Sequence, residues 1–144
     1  MLDAKHINSV VNNLETYDEI DEVLDRIIKL AVNVARNTEE LLEEIEDYDY
    51  DDVYQIYITD INFNFWLKLS KRSIIYKKGI NRKANYQVKY TKDLIIKIFK
   101  SEISATDAFM KGLIKVDGDL AEGIRFTKLF SMFFKYVFQN FKKK

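Results

Sequence analysis

The sequence predicts an α+β fold, in which helices cover a five-stranded, mostly antiparallel sheet. Two observations predict this class. Before residue 48 and after residue 92, apolar residues recur every three or four positions, which is typical of amphipathic helices. Between residues 53 and 90 they recur every second position, which is typical of strands with one buried face. The helical region before the sheet is extended, and the last helix is long.

The chain is expected to form one domain. Its 144 residues contain no proline, no serine-rich linker and no internal repeat. A chain of this length can bury a sizeable core. We therefore expect a single domain over 1–144, with acidic helices in 1–48 and the sheet, the remaining helices and the final helix in 53–144.

The composition excludes several kinds of site. There is no cysteine, and His6 is the single histidine. A disulfide framework, a thiolate nucleophile and a cysteine or multi-histidine metal site are therefore excluded. We expect no catalytic residue, no metal site and no cofactor. No apolar run approaches the roughly 20 residues that span a bilayer, and no signal peptide is evident, so we expect a cytoplasmic protein.

The net charge is zero, but the two parts of the chain carry opposite charge. Residues 1–60 contain 17 acidic and four basic residues, a net charge of −13. The remaining residues contain six acidic and 19 basic residues, a net charge of +13. This split predicts either an anionic partner for the basic part, such as lipid or nucleic acid, or attraction between the two parts within one fold.

The first helices are predicted from caps and spacing. Thr16–Glu19 has the capping-box pattern of a helix start. The helix that follows is expected to be interrupted near Asn37–Thr38, where a second N-cap would begin Glu39–Glu46. A shorter helix is expected before Thr16. The apolar positions are Ile7, Val10, Val11 and Leu14 in the shorter helix, and Ile20, Leu24, Ile27, Ala31, Val34, Leu41 and Ile45 after the capping box.

Alternating residues predict the strands. Two runs meet near Asp60–Asn62, where a tight hairpin is expected. Two more strands are expected at Ser73–Tyr76 and Ala84–Tyr90, with a basic turn over 77–83 between them. We expect an antiparallel sheet with one apolar face. The alternating apolar positions are Tyr54, Ile56 and Ile58 in the first run, and Ile61, Phe63, Phe65, Leu67 and Leu69 in the second.

Helical spacing returns after the fourth strand. Ser104 or Thr106 is expected to cap a short helix, and Ile114–Val116 is expected to be a brief fifth strand. The final helix is expected to begin at Asp119, whose side chain can cap it. The apolar positions of this helix are Leu120, Ile124, Leu129, Phe133, Val137 and Phe141.

The residue order within 84–120 is a more specific signal. A strand leads to an Asp at a helix start, an Ala-Phe pair, a Gly, a short strand and a Gly-Asp pair before a Leu. The residues in this order are Asp93, Ala108, Phe109, Gly112, Leu113, Lys115, Val116, Gly118, Asp119 and Leu120. The order resembles the C-terminal half of the SCP-2 sterol carrier family, and the preceding helices and strands fit that family's layout.

The resemblance implies an SCP2-like sheet with an apolar tunnel, between sheet and helices, that holds a lipid. The chain departs from the family pattern where Ser104–Ala105 replaces a proline, and no Gly-rich turn joins the early strands. Its N-terminal helices are also longer and more acidic, and its last helix is longer and more aromatic. These departures bear on the ligand more than on the fold.

The implied function is non-enzymatic binding and transfer of a fatty acyl, sterol or isoprenoid lipid, or of another hydrophobic small molecule. Apolar residues at these spacings equally suit an ordinary packed core. The residues expected to bind the lipid are Phe63, Phe65, Leu67, Phe109, Met110, Ile114, Ile124, Leu129, Phe130 and Phe133.

The end of the last helix combines aromatic and basic residues. We expect it to contact an anionic membrane surface transiently, although the same rings suit a homodimer interface. The expected membrane-contact residues are Phe138, Phe141, Lys142, Lys143 and Lys144.

Two other classes of function fit parts of the sequence. One is a dimeric interaction or scaffold domain whose core is filled. The other is a single-stranded nucleic-acid module, in which bases stack on Tyr57, Trp66 or Tyr76 beside lysines. The zero net charge argues against the second class, so we expect no nucleic-acid partner.

Overall fold

A computed structural model of the protein describes residues 20–46, 52–100 and 102–142, and it has the predicted α+β class. The helices in these residues are α1 (Ile20–Arg36), α2 (Glu39–Glu46), α3 (Lys92–Phe99), α4 (Ala105–Met110) and α5 (Leu120–Lys142). The strands are β1 (Asp52–Ile58), β2 (Phe63–Ser70), β3 (Ser73–Lys78), β4 (Tyr86–Tyr90) and β5 (Lys115–Asp117). The capping box and the shorter helix predicted before Ile20 lie outside the described residues.

The strands form one mixed sheet in the order β3-β2-β1-β4-β5. Neighbouring strands pair antiparallel except β1 and β4, which run parallel with Ile56 opposite Val88. The prediction of a mostly antiparallel sheet is confirmed, and the expected hairpin near Asp60 joins β1 to β2. The parallel pair arises because no hairpin joins β3 to β4. Residues 79–85 instead carry the chain past two strands to the far side of β1.

Alternation along the strands gives the sheet two different faces. The inner face, which packs against helices, carries Tyr54, Ile56, Ile58, Phe63, Phe65, Leu67, Leu69, Ile74, Tyr76, Tyr86, Val88, Tyr90 and Val116. The outer face carries Val53, Gln55, Tyr57, Asn64, Trp66, Lys68, Ile75, Lys77, Gln87, Lys89, Lys115 and Asp117. Because successive side chains of a strand alternate, each residue's face follows from its register.

Gln55 fixes the crossover segment 79–85 to the outer face. Its side chain is only 1% exposed. The Nε2 atom donates to the carbonyls of Phe65 at 2.9 Å and Gly79 at 3.1 Å, and Oε1 accepts from the Asn81 N–H at 2.7 Å. The segment ends at Asn85, whose N–H and side-chain oxygen bond the backbone of β1. These contacts explain how a seven-residue connection passes the sheet.

The break between the first two helices lies where the sequence places it. Helix α1 ends at Arg36 and α2 begins three residues later. Thr38 holds the predicted N-cap position, since its carbonyl accepts from the Leu42 N–H at 3.1 Å, while its hydroxyl donates back to the Val34 carbonyl at 2.7 Å. The Arg36 guanidinium donates to the Ile74 carbonyl at 2.6 Å and ties α1 to the edge strand β3.

Two predicted caps are confirmed, and Gly118 after β5 is required by its backbone conformation. The Ser104 hydroxyl oxygen accepts from the backbone N–H three residues on at 3.0 Å, and Asp119 Oδ1 does the same for α5 at 3.1 Å. Gly118 has a φ of 124°, and a Cβ there would lie 2.7 Å from the Tyr86 ring. A side chain at this position would therefore meet both backbone strain and a clash.

The oppositely charged parts of the chain meet at the β2–β3 turn. Arg72 in this turn pairs with Glu39 at 2.7 Å and with Glu46 at 3.5 Å. The hydrogen bond from Arg72 holds the pKa of Glu39 below its ordinary value. Attraction between the two parts therefore attaches α2 to the sheet at this turn.

Candidate functional site

An aromatic layer lies between the inner face and α5. Phe126, Phe130 and Phe133 share one side of α5, because they are spaced by four and three residues. The Phe130 ring is at its centre, 6.1 Å from Phe65, 6.1 Å from Tyr90, 5.5 Å from Phe126 and 6.4 Å from Phe133, measured between centroids. The apolar side chains that alternate along the strands and those that recur along α5 therefore pack into one continuous apolar interior.

Most of the residues expected to bind lipid lie in this interior. The buried ones, which belong to one hydrophobic cluster, are Phe63, Phe65, Leu67, Ile114, Leu129, Phe130 and Phe133. Phe109 is partly buried against the cluster, and Ile124 is half-buried on α5. Met110 ends the short helix α4 and is 73% exposed. The structure thus brings seven of the ten residues together and leaves Met110 at the surface.

The expected membrane-contact residues fall at the end of α5. The backbone of this helix continues to Lys142. The side chains of Phe138, Phe141 and Lys142, and the whole of Lys143 and Lys144, lie outside what the structure describes. Among the described helices, none has the length and apolar content needed to cross a bilayer.

Tyr90 is a candidate site residue that the sequence analysis missed. It ends β4 on the inner face, opposite Ile58 of β1, and is 2% exposed. Within the part of the chain that the structure describes, its hydroxyl has no hydrogen-bond partner. Burial raises the pKa of Tyr90, so the hydroxyl remains a proton donor. The alternation along β4 places Tyr90 on the inner face, and this can be seen in the sequence. Whether its hydroxyl has a partner depends on residues that are distant in the sequence, so no local pattern shows it.

Two other inner-face tyrosines have carboxylate partners. The Tyr76 hydroxyl donates to Asp25 of α1, and burial together with this bond raises the pKa of Tyr76. The Tyr54 hydroxyl lies 3.4 Å from a Glu122 carboxylate oxygen of α5. Tyr90 differs from both because its hydroxyl is enclosed without a partner among the described residues.

The three rings expected to stack on nucleic-acid bases are divided between the two faces of the sheet. Tyr57 and Trp66 lie on the outer face with several lysines, and Tyr57 lines an open groove of about 470 Å³ next to the β1–β2 hairpin. Tyr76 is on the inner face and bonds Asp25, so the three rings proposed for base stacking do not share one surface.

The SCP-2 sterol transfer family matches residues 24–131 of the chain. The match covers most of the chain, so the protein belongs to this family, as its motif order predicts. It is therefore a domain of the lipid-binding and transfer class, with hydrophobic ligands. The comparison with curated proteins found no match.

Solved structures with the same fold are distant in sequence. Sterol carrier protein 2 from Yarrowia lipolytica (apo form) has a TM-score of 0.56 and 17% identity, over 86% of this chain and 96% of that one. A conserved hypothetical protein from Thermus thermophilus, described as possibly a sterol carrier protein, has a TM-score of 0.58 and 10% identity, over 79% and 85%. The UbiJ-SCP2 ubiquinone synthesis protein has a TM-score of 0.53 and 16% identity, over 71% and 84%. These likenesses support the fold.

Proposed function

We propose that the protein binds one lipid between the inner face of the sheet and α5, and passes it on without chemical change. The aromatic layer centred on Phe130 is the observation that carries this proposal. Sheet and helix side chains meet there as stacked and tilted rings, and such an environment favours acyl chains and rings over polar ligands. Fatty acyl, sterol and isoprenoid lipids all fit this chemistry.

The segment that joins α4 to β5 is our candidate for the entrance. Met110 and Leu113 are 73% and 49% exposed there, so two large apolar side chains lie at the surface three residues apart. Phe109 is partly buried beside them and Ile114 is fully buried, so the segment runs from solvent into the core. In this role Met110 contacts the lipid as it enters. Phe109 then lies between the surface and the aromatic layer.

Probe uptake tests the proposal. The purified protein is titrated with a fluorescent acyl probe and a fluorescent sterol, and we expect one probe to bind per chain at micromolar concentration. Phe133→Trp adds bulk to the aromatic layer and is expected to weaken uptake about tenfold. Phe109→Ala is expected to alter the uptake rate more than the affinity.

Tyr57→Phe is the matched control, because Tyr57 is aromatic but lies on the outer face. Its uptake should equal that of the wild type, and thermal melts establish that every variant is folded. If the wild type takes up neither probe, the carrier proposal is wrong, and a dimeric interaction domain with a filled core replaces it. If the wild type takes up a probe and Phe133→Trp binds it as tightly as Tyr57→Phe does, the lipid does not lie in the aromatic layer and the proposed site is wrong.

We further propose that the end of α5 touches anionic membranes through Phe138, Phe141 and Lys142–Lys144. Each basic residue near such a surface contributes about 1 kcal/mol. Truncation after Tyr136 is expected to abolish sedimentation with vesicles that contain phosphatidylserine, and to leave probe uptake intact. Unchanged sedimentation would contradict membrane contact, and a loss of self-association in its place would assign the same residues to a homodimer.

A further inference from the structure

The Tyr90 hydroxyl contributes nothing to the described core as a hydrogen-bonding group. Its ring packs 6.1 Å from Phe130, and Ile58 is its neighbour across the sheet. A phenylalanine would make these apolar contacts without enclosing a polar atom. Burying a hydroxyl without a partner costs free energy relative to such a replacement. The hydroxyl is therefore available to a bound molecule.

The backbone holds Tyr90 in a fixed position. Both the N–H and the hydroxyl of Thr59 donate to the Tyr90 carbonyl, at 2.9 Å and 3.3 Å. Pairing of β4 with β1, in which Tyr90 lies opposite Ile58, adds the ladder contacts on the same side of the strand. A tyrosine has two side-chain torsions, and packing against Phe130 restrains them, so the hydroxyl is preorganised at one point of the interior.

We propose that the Tyr90 hydroxyl donates a hydrogen bond to an uncharged oxygen of the bound lipid, a carbonyl or a hydroxyl, and thereby selects oxygenated neutral lipids over hydrocarbons and over ionised carboxylates. The inference rests on the proposed function and names the ligand class for the same site.

Preference for an uncharged oxygen follows from the surroundings. Ile58 and Phe130, which meet Tyr90 on the inner face, are apolar. An ionised carboxylate placed there would lose its hydration and receive one neutral donor in return, whereas a carbonyl loses much less on leaving water. The hydroxyl stays protonated because burial raises the pKa of Tyr90, so it acts as a donor.

The test compares matched lipids by displacement of a bound fluorescent acyl probe. Cholesterol is compared with cholestane, which lacks the oxygen, and methyl palmitate with palmitate. The wild type is expected to bind the neutral oxygenated member of each pair about fivefold to tenfold more tightly. Tyr90→Phe is expected to bring the cholesterol to cholestane ratio close to one by weakening cholesterol alone.

Tyr54→Phe is the matched control. Tyr54 is also a buried inner-face tyrosine, but its hydroxyl faces Glu122, so its replacement should leave the lipid preference intact. Because the enclosed hydroxyl costs free energy, Tyr90→Phe should melt at or above the wild-type temperature, and a lower melting temperature would contradict the proposal.

Binding without preference, or a preference that survives in Tyr90→Phe, overturns the inference and leaves the carrier function standing. Stronger binding of palmitate than of its methyl ester also overturns it. If none of these lipids displaces the probe and the wild type takes up no probe, the proposed function fails and the inference fails with it.

Discussion

Gln55 and Tyr90 are buried on opposite faces of the sheet, and their polar atoms are treated differently. Gln55, on the outer face, uses both ends of its amide: it bonds two backbone groups of the crossover segment, at Gly79 and Asn81, and the Phe65 carbonyl of β2. Tyr90, on the inner face, encloses a hydroxyl for which the described residues provide no partner. Both residues are about equally buried. Burial alone therefore does not separate a structural polar group from one that is available to a ligand.

The polar side chains of the two faces therefore have different roles. On the outer face, hydrogen bonds fix the chain path that makes β1 and β4 parallel. On the inner face, stacked rings form an apolar interior with few polar contacts, and these contacts occur where Tyr54 and Tyr76 reach Glu122 and Asp25. We expect substitutions of these two buried polar groups, Gln55 and Tyr90, to differ in the same way: replacing Gln55 should lower stability, and replacing Tyr90 should change ligand choice.

The largest change in stability is expected at the centre of the aromatic layer. Phe130→Ala removes a ring that contacts four others, so the free energy of unfolding should fall by about 3–5 kcal/mol. Urea denaturation measures this loss. Met110→Ala, at an exposed apolar position, should change the unfolding free energy by less than about 0.5 kcal/mol. Similar losses in the two variants would show that the ring contacts of Phe130 do not stabilise the fold.

Gln55→Leu is expected to have the next largest effect. The substitution leaves the Gly79 carbonyl and the Asn81 N–H without their side-chain partner, and the free energy of unfolding should fall by about 2–3 kcal/mol. Gln87→Leu is the matched control, because Gln87 lies beside Gln55 on the outer face but is exposed. A loss as small as that of the control would contradict the role of Gln55 at the crossover.

A smaller effect is expected at alkaline pH. Burial raises the pKa of Tyr90 in the folded protein above the ordinary value of 10.0, so above that pH the unfolded chain releases a proton that the folded chain keeps. Stability contributed by the neutral tyrosine is complete below pH 10 and declines as the pH rises toward the folded-state pKa. The decline for one such group approaches about 1.4 kcal/mol per pH unit.

The free energy of unfolding of Tyr90→Phe should therefore fall less steeply with rising pH than that of the wild type. Tyr76 retains its own raised pKa in this variant, so part of the alkaline loss remains. Identical pH profiles, measured by denaturation between about pH 9 and 11, would mean that the Tyr90 hydroxyl reaches water.

Local signals predicted much of the fold. The break after Arg36, the caps at Ser104 and Asp119 and the short strand before Gly118 all depend on a few neighbouring residues, and each was found. The parallel pairing of β4 with β1 was missed, because alternation identifies a strand but not its neighbour. The hydrogen bonds of Gln55 join residues far apart in the sequence, so no local pattern reveals them.

The candidate site was partly predictable for the same reason. Phe65 and Phe130 follow strand and helix periods, and these periods direct both side chains inward. Met110 carries no such signal, because α4 is only six residues long and its last residue turns outward. The alternation along β4 predicted which face Tyr90 lies on. The lack of a hydrogen-bond partner for its hydroxyl among the described residues depends on all the groups packed around it, which the sequence does not show.

A native mass spectrum of the purified protein tests lipid binding most directly. We expect a mass above that of the bare chain by one hydrophobic molecule, and a lipid of that added mass in an organic extract of the sample. A neutral, oxygen-containing lipid would also support the role of Tyr90. A spectrum of the bare chain alone, together with no uptake of acyl or sterol probes at micromolar concentration, would show that the interior is filled and would contradict the account.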